Sequence, residues 1–372
     1  MSSTSGRSFL LLLPVVAAWA WVSWSGYHGL NGQDAHDYLR IARAWTSWTH
    51  GGPRPHLSEH PHGYPIMGAL FGVLVGSEGL ALRLISAASL LVIALVFRGM
   101  LRRVFPGLSG YADAFVLLSL LLSPFLLRHA LVVMSDVPAM ALLALAYACT
   151  LHWIAMPRWT WLCGALLAMT LAVSVRFGAA PIALPLLVAL VHGPARGRRM
   201  RWSIAIGVVV AGCIVLFSML PMDQVRLVLQ RSPVGDWSAL DLFRRELRSD
   251  DGVLRYAVPN IIYVCGLAVH PGFLPIGALL LPFVRRGDLR PPHARLALVI
   301  VAGYMLFIAG MPFQNDRVLL LAQPFMAVLL FPAFTRAWEK LKGWNIRPAW
   351  VVAALVVMQA ALFVRAMVPF IR

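Results

Sequence analysis

A chain of 372 residues that is 60% hydrophobic and only 13% charged departs from a soluble domain, which is about 45–50% apolar and about 25% charged. Apolar runs recur along its whole length, and each hydrocarbon crossing needs about 20 residues of helix, so the composition describes an all-α, polytopic membrane bundle and excludes a soluble enzyme. The net charge of +17 comes as short basic clusters between apolar runs, which reads as cytoplasmic loop anchors and not as a nucleic-acid surface.

The opening "MSSTSGRSFLLLLPVVAAWAWVSWSG" puts one basic residue ahead of an apolar run and offers no small-residue cleavage site at a suitable distance. It reads as an uncleaved first helix near 10–26. Further crossings are predicted near 79–100, 112–127, 130–152, 160–175, 177–192, 203–221, 256–284, 296–311, 318–335 and 349–369, roughly eleven in all.

Basic clusters fall at Arg98, Arg102 and Arg103, at Arg196, Arg198, Arg199 and Arg201, at Arg285, Arg286 and Arg290, and at Arg336, Lys340, Lys342 and Arg347. The positive-inside rule assigns them all to the cytoplasm, and an even number of predicted crossings lies between successive clusters. That parity sends five features to the outer face: the loop 27–78, the turn at Arg128 and His129, the turn at Arg176, the loop 222–255 and the turn 312–317. Cys149, Cys163, Cys213 and Cys265 all sit within apolar runs without metal-like spacing, so free thiols are expected. No repeat or separate soluble domain is visible, and residues 1–372 read as one membrane domain.

In the first outer loop, "NGQDAHDYLRIARAW" reads as an interfacial helix with Asp34, Asp37 and Tyr38 on one face. Its stripe of Tyr38, Ile41 and Trp45 suits a bilayer surface. A carboxylate held there can take a proton from an acceptor hydroxyl or hold a metal; equally, Asp34 can cap the helix while Asp37 pairs with Arg40. The loop continues through His56, Glu59, His60, His62 and Tyr64. Glu59, His60 and His62 are candidates for a divalent cation such as Mg, Mn or Zn, set against the alternative of ordinary loop histidines.

Asp136 lies just ahead of Pro138, beyond the turn at Arg128 and His129. Two accounts fit it: a kinked helix whose carboxylate finds a buried partner, or a carboxylate facing a cavity. Arg176 and Arg317 interrupt apolar sequence at outer turns, where a guanidinium can snorkel to the interface or bind phosphate bidentately. In the second outer loop, Asp241 and Arg245 stand at i,i+4, as on a short, solvated surface helix.

Taken in order, these motifs resemble the GT-C superfamily of polytopic glycosyltransferases, in particular the branch of protein O-mannosyltransferases and lipid A aminoarabinose transferases. Asp34, Asp37, Tyr38 and Ala42 look like that family's acidic motif after the first helix, with Ala35 where a Glu is usual. "HPHGYPIMGAL", "LRHALVVMSDVPAMALLALA" and "NDRVLLLAQPFMAVLL" resemble its later motifs.

The resemblance implies transfer of a hexosyl or pentosyl unit from a polyprenyl-phosphate donor to a lipid, glycan or protein acceptor, with inversion. It implies Asp34 as base with Asp37 beside it, Arg128, Arg176 and Arg317 on the lipid phosphate, and Tyr38, His62, Tyr64, His129 and Asp136 as substrate contacts. The Arg-rich, Lys-poor composition points to a bacterial inner membrane with the site facing the periplasm. A flippase or transporter of lipid-linked sugars, or an O-antigen polymerase or ligase, stays open as an alternative; the first puts its site nearer the midplane, the second in the loop 222–255.

Overall fold

The computed structural model describes residues 12–55, 60–192, 237–249, 252–312, 314–345 and 347–371. The chain opens with helix α1 (Leu13–Trp24), α2 (Gly32–Thr49) and α3 (Gly63–Val75). Gly76, in the left-handed region at φ 73°, ends α3 and lets the chain reverse at once into α4 (Glu78–Val104). Ser77 starts α4 by accepting from the Leu80 amide, and Glu78 in the first turn with Arg102 and Arg103 in the last complement the helix dipole. After a 3₁₀ turn come α5 (Ala112–Val116), running into a π-helical turn at Leu117–Leu121, then α6 (Pro124–Leu131), α7 (Asp136–Ala155), α8 (Trp159–Val175) and α9 (Ala180–Val191).

The later part holds a hairpin of β1 (Glu246–Ser249) and β2 (Gly252–Arg255), paired antiparallel with Glu246 opposite Arg255. It continues through α10 (Asn260–Ala268), α11 (Gly277–Leu280), α12 (Pro292–Ala309), α13 (Asp316–Leu319), α14 (Gln323–Gly343) and α15 (Pro348–Ile371). The fold is the expected helical membrane bundle, to which the second outer loop adds this small hairpin.

Five helices among the described residues are long and apolar enough to cross a membrane. A bent pair, 106–121 with 124–131 at 68°, makes a sixth. The crossing expected near 203–221 lies outside the described residues. The segment expected to cross over 256–284 is not one continuous helix: α10 stops at Ala268 and helix resumes only at Gly277, because Pro271 lacks a donor and cannot continue the ladder.

Non-helical backbone at membrane depth is tolerated only where protein satisfies it, and here two breaks satisfy each other. The Phe125 amide donates to the Gly272 carbonyl at 3.0 Å. Ser123 Oγ donates to the Phe273 carbonyl at 2.7 Å, and Gln323 Nε2 donates to the same oxygen at 2.7 Å.

α4, α7 and α14 form the interior, with α14 the most enclosed span and α15 the most outward-facing. Outward surfaces carry Leu13, Leu70, Val73, Leu74, Leu95, Leu184 and Val357, as lipid contact requires.

Two ends of the bundle separate in chemistry. At one, Arg98 and Arg102 hold Asp113 at 2.6 and 2.9 Å, Arg336 holds Asp288, and Tyr111 meets Glu339. The basic clusters at 98–103, 285–290 and 336–342 therefore share this end, as the parity of crossings predicts; the cluster at 196–201 lies outside the described residues. The opposite end carries the N-termini of α2, α7 and α13 and the C-terminus of α8.

Candidate active site

The site at that opposite end is built on short connections. Asn31 and Gly32, the latter at φ 72°, launch α2 so that Asp34 lies in its first turn. No side chain caps α2, so Asp34 is free of the capping role and turns to Arg317, whose Nη2 lies 2.7 Å from its Oδ2. Arg317 is aimed by α13, where Asn315 Oδ1 accepts from the Arg317 amide at 2.9 Å.

The second outer loop buttresses that turn. Trp237 Nε1 donates to the Phe307 carbonyl, the Ser238 amide to the Gly310 carbonyl, and Asn260 Nδ2 to the Met311 carbonyl at 2.6 Å. Gln314 Nε2 donates to Asn260 Oδ1 at 3.0 Å.

Asp136 is the centre. It is 0% exposed, with Arg176 Nη2 3.1 Å from Oδ1 and Arg317 Nε 3.8 Å from Oδ2. Neither carboxylate oxygen makes a well-aligned hydrogen bond, so charge alone holds it, an arrangement that needs both guanidinium groups present. Ser135, next in the chain, meets the Tyr38 hydroxyl at 2.7 Å and accepts from Arg176 Nη1 at 3.4 Å. A Cβ added at Gly178 would lie 3.7 Å from Arg176 Nε and 3.9 Å from the Tyr304 hydroxyl, which places that phenol at the same cluster.

Burial by itself lowers the basicity of Arg317, but the facing carboxylates of Asp136 and Asp34 outweigh it and hold its pKa above the ordinary value. Burial likewise lifts the Tyr38 phenol, with Arg176 opposing. The centre is thus two fixed cations, two carboxylates and a neutral phenol. Asp34 keeps 29% of its side-chain surface open, enough for a hydroxyl to approach.

Other predicted residues fall elsewhere. Asp37 turns away from the centre, pairing with Arg40 at 2.8 Å and His60 at 3.5 Å. The stripe of Tyr38 and Ile41 is buried within the protein against α3 and α4 rather than spread on a bilayer. Tyr64 is fully enclosed, its hydroxyl donating to the Leu82 carbonyl at 2.9 Å and meeting Ser86 Oγ at 2.8 Å. His129 is buried, with Nδ1 2.7 Å from the Phe125 carbonyl. Arg128 lies over the Phe125 ring at 5.5 Å and acts electrostatically on the Tyr27 phenol.

The expected pair Asp241–Arg245 is replaced by Asp241–Arg244 at 2.9 Å, because the chain turns extended at Arg244 and the i,i+4 face is lost. Cys149, Cys163 and Cys265 are free thiols as expected; Cys213 lies outside the described residues.

Glu59 and His56 lie outside the described residues. His62 Nδ1 accepts from Trp45 Nε1 at 3.1 Å, which leaves its proton on Nε2 and no lone pair for a cation. Among the described residues no three His, Cys, Asp or Glu side chains come together. Ser135, Asn315 and Tyr304 escaped sequence reasoning: a serine before Asp136 and an asparagine before Asp316-Arg317 are ordinary helix-start signals, and a tyrosine within an apolar run carries no signal at all.

Residues 59–221 match the dolichyl-phosphate-mannose-protein mannosyltransferase family. Among solved structures, ArnT from Cupriavidus metallidurans bound to undecaprenyl phosphate matches with a TM-score of 0.65 at 19% identity, over 99% of this chain and 74% of that one. The apo form of the same protein matches with a TM-score of 0.65 at 21% identity, over 100% of this chain and 74% of that one. No curated protein matches the sequence. At such identities the likeness is one of fold, and it agrees with the order of motifs: the chain is an integral membrane protein with the fold of the GT-C polytopic glycosyltransferases.

Proposed function

We propose that this protein is a membrane glycosyltransferase that moves a sugar from a polyprenyl-phosphate donor to an acceptor hydroxyl at the end opposite the basic clusters, the periplasmic face of a bacterial inner membrane. The observation that carries the reading is the partly open Asp34 carboxylate fixed 2.7 Å from Arg317 beside the buried Asp136–Arg176 pair. The family match over 59–221 and the undecaprenyl phosphate bound by ArnT support the lipid-linked donor.

In this mechanism Asp34 removes the proton of the acceptor hydroxyl as its oxygen attacks the anomeric carbon. The bond from that carbon to the phosphate oxygen breaks on the far side, with inversion, and polyprenyl phosphate leaves as an anion. Arg317 and Arg176 supply positive charge where negative charge develops, which stabilises the transition state more than the ground state. Among the described residues Arg317 Nη1 meets the Met134 sulfur at 3.4 Å, a weak acceptor, so it has a donor to turn toward a phosphate oxygen. Tyr38 and Ser135 fix the neighbouring surface.

The test is release of polyprenyl phosphate from radiolabelled polyprenyl-phosphate sugars by the purified full chain, with a membrane extract as acceptor source. Wild type is expected to release it and a folded Asp34→Asn variant is not. Equal turnover by the variant removes Asp34 as base; absence of turnover with every donor overturns the reading in favour of a flippase or ligase.

A further inference from the structure

A second cationic group lies beside the centre, and nothing in the mechanism above uses it. Arg83, in the second turn of α4, is 7% exposed. Among the described residues its Nε and Nη2 are buried without a hydrogen-bond partner, and no carboxylate pairs with it. The Tyr27 hydroxyl is likewise buried without a partner among the described residues. Both Arg83 and Arg128 act electrostatically on that phenol, though burial dominates and pushes it up to about 12, so it remains a donor. Trp19 covers one face of the Arg83 guanidinium at 4.6 Å.

The chain leaves room for this arrangement. Gly29 has φ 79°, and a Cβ there would stand 2.4 Å from Arg83 Cδ, so a side chain at this position would displace the arginine. The Gly29 carbonyl in turn accepts from the Val133 amide at 2.8 Å. Val133 begins the link that runs through Met134 and Ser135 to Asp136, a stretch of backbone that reaches at most about 11 Å over three residues and ties the Gly29 turn beside Arg83 to the start of α7.

The two cationic groups differ in balance. Asp34 and Asp136 neutralise Arg317 and Arg176, whereas a buried guanidinium with unmet donors and no carboxylate partner is costly without an anion. An anion with several acceptor oxygens satisfies those donors in one step, and guanidinium with phosphate is the strong bidentate pairing.

We propose that Arg83, with the Tyr27 hydroxyl and Arg128, is a phosphate seat that holds the lipid phosphate of the donor and of the departing polyprenyl phosphate, while Arg317 acts at the reacting oxygen. The identity of the lipid rests on the glycosyltransferase reading; the phosphate seat itself does not.

The experiment measures binding to the purified full chain in detergent by thermal shift and by native mass spectrometry, with undecaprenyl phosphate, phosphatidylglycerol and inorganic phosphate as separate probes. The variants are Arg83→Gln, Arg83→Lys and Tyr27→Phe. Undecaprenyl phosphate is expected to bind wild type, to lose at least tenfold in affinity with Arg83→Gln, and to recover in part with Arg83→Lys. Tyr27→Phe is expected to lose several-fold, and it decides the matter if Arg83→Gln does not fold.

Unchanged affinity in folded Arg83→Gln, or in Tyr27→Phe where Arg83→Gln fails to fold, overturns the seat and leaves the glycosyltransferase reading standing. Arg83-dependent binding of inorganic phosphate or phosphatidylglycerol without binding of undecaprenyl phosphate supports the seat and counts against that reading. No binding of any probe by wild type overturns the seat.

Discussion

Arg317 Nη2 lies 2.7 Å from Oδ2 of Asp34, and this contact joins the first outer loop to the turn that leads into α14. The same guanidinium reaches Asp136 through Nε at 3.8 Å, so one side chain spans both carboxylates. A lysine carries the charge but presents one point where arginine presents a fork. Arg317→Lys is therefore expected to fold and to lose turnover on the order of 100-fold. Asp34→Asn is expected to lose about 10²–10⁴-fold. Steady-state kinetics alongside a melting curve checks both; retention of more than half the wild-type rate by Arg317→Lys counts against the bridging role.

Asp136 is enclosed between two arginines, and removing one member of a buried ionic set leaves the others uncompensated. Asp136→Asn is expected to destabilise the protein by about 3–5 kcal/mol. Pairing it with Arg176→Gln should return part of that loss, because the second change removes an unpaired buried charge. A double-mutant cycle on unfolding in detergent reads the coupling, and strictly additive losses would show that the two side chains do not interact.

His62 supplies a pH dependence. Burial, reinforced by the neighbouring His60, pushes its pKa from 6.5 down to about 4. Between those values the unfolded chain binds a proton that the folded protein excludes, so the contribution is fully present above about 6.5 and is lost as pH falls toward 4. Wild type is expected to lose more stability than His62→Gln between pH 7 and pH 4.5. Parallel stability curves for the two proteins would sink this assignment.

Tyr64 stands in the motif that suggested a substrate contact, yet its hydroxyl is spent on the Leu82 carbonyl and Ser86 Oγ inside the bundle. Tyr64→Phe is expected to cost about 1–2 kcal/mol of stability and to leave the donor KM within about twofold. A large KM change without a stability change would restore the substrate role.

The Asp37 and Asp34 pair shows where reading the sequence reached its limit. Both lie on one turn of an amphipathic helix, and helical spacing makes them equivalent candidates. Partner geometry separates them, since Arg317 comes from a distant turn to meet Asp34 while Arg40 and His60, both local, claim Asp37. Arg128 was legible as an outer cation, but its proximity to Tyr27 and the partnerless state of Arg83 were not, because an arginine near the start of an apolar helix reads as a snorkelling side chain.

Composition and charge placement by themselves determined the solvent and the two ends of this protein. Apolar runs of spanning length have no other stable home, and an even number of crossings between successive basic clusters gathers those clusters on one face while the acidic turns, an odd number of crossings away, fall on the other. The tertiary structure alone decided which charges neutralise one another. Ion pairing depends on a few ångströms between residues far apart in the chain, and the breaks at 122–124 and 271–274, which meet through the Phe125 amide and the Gly272 carbonyl, form a pairing that no local propensity encodes.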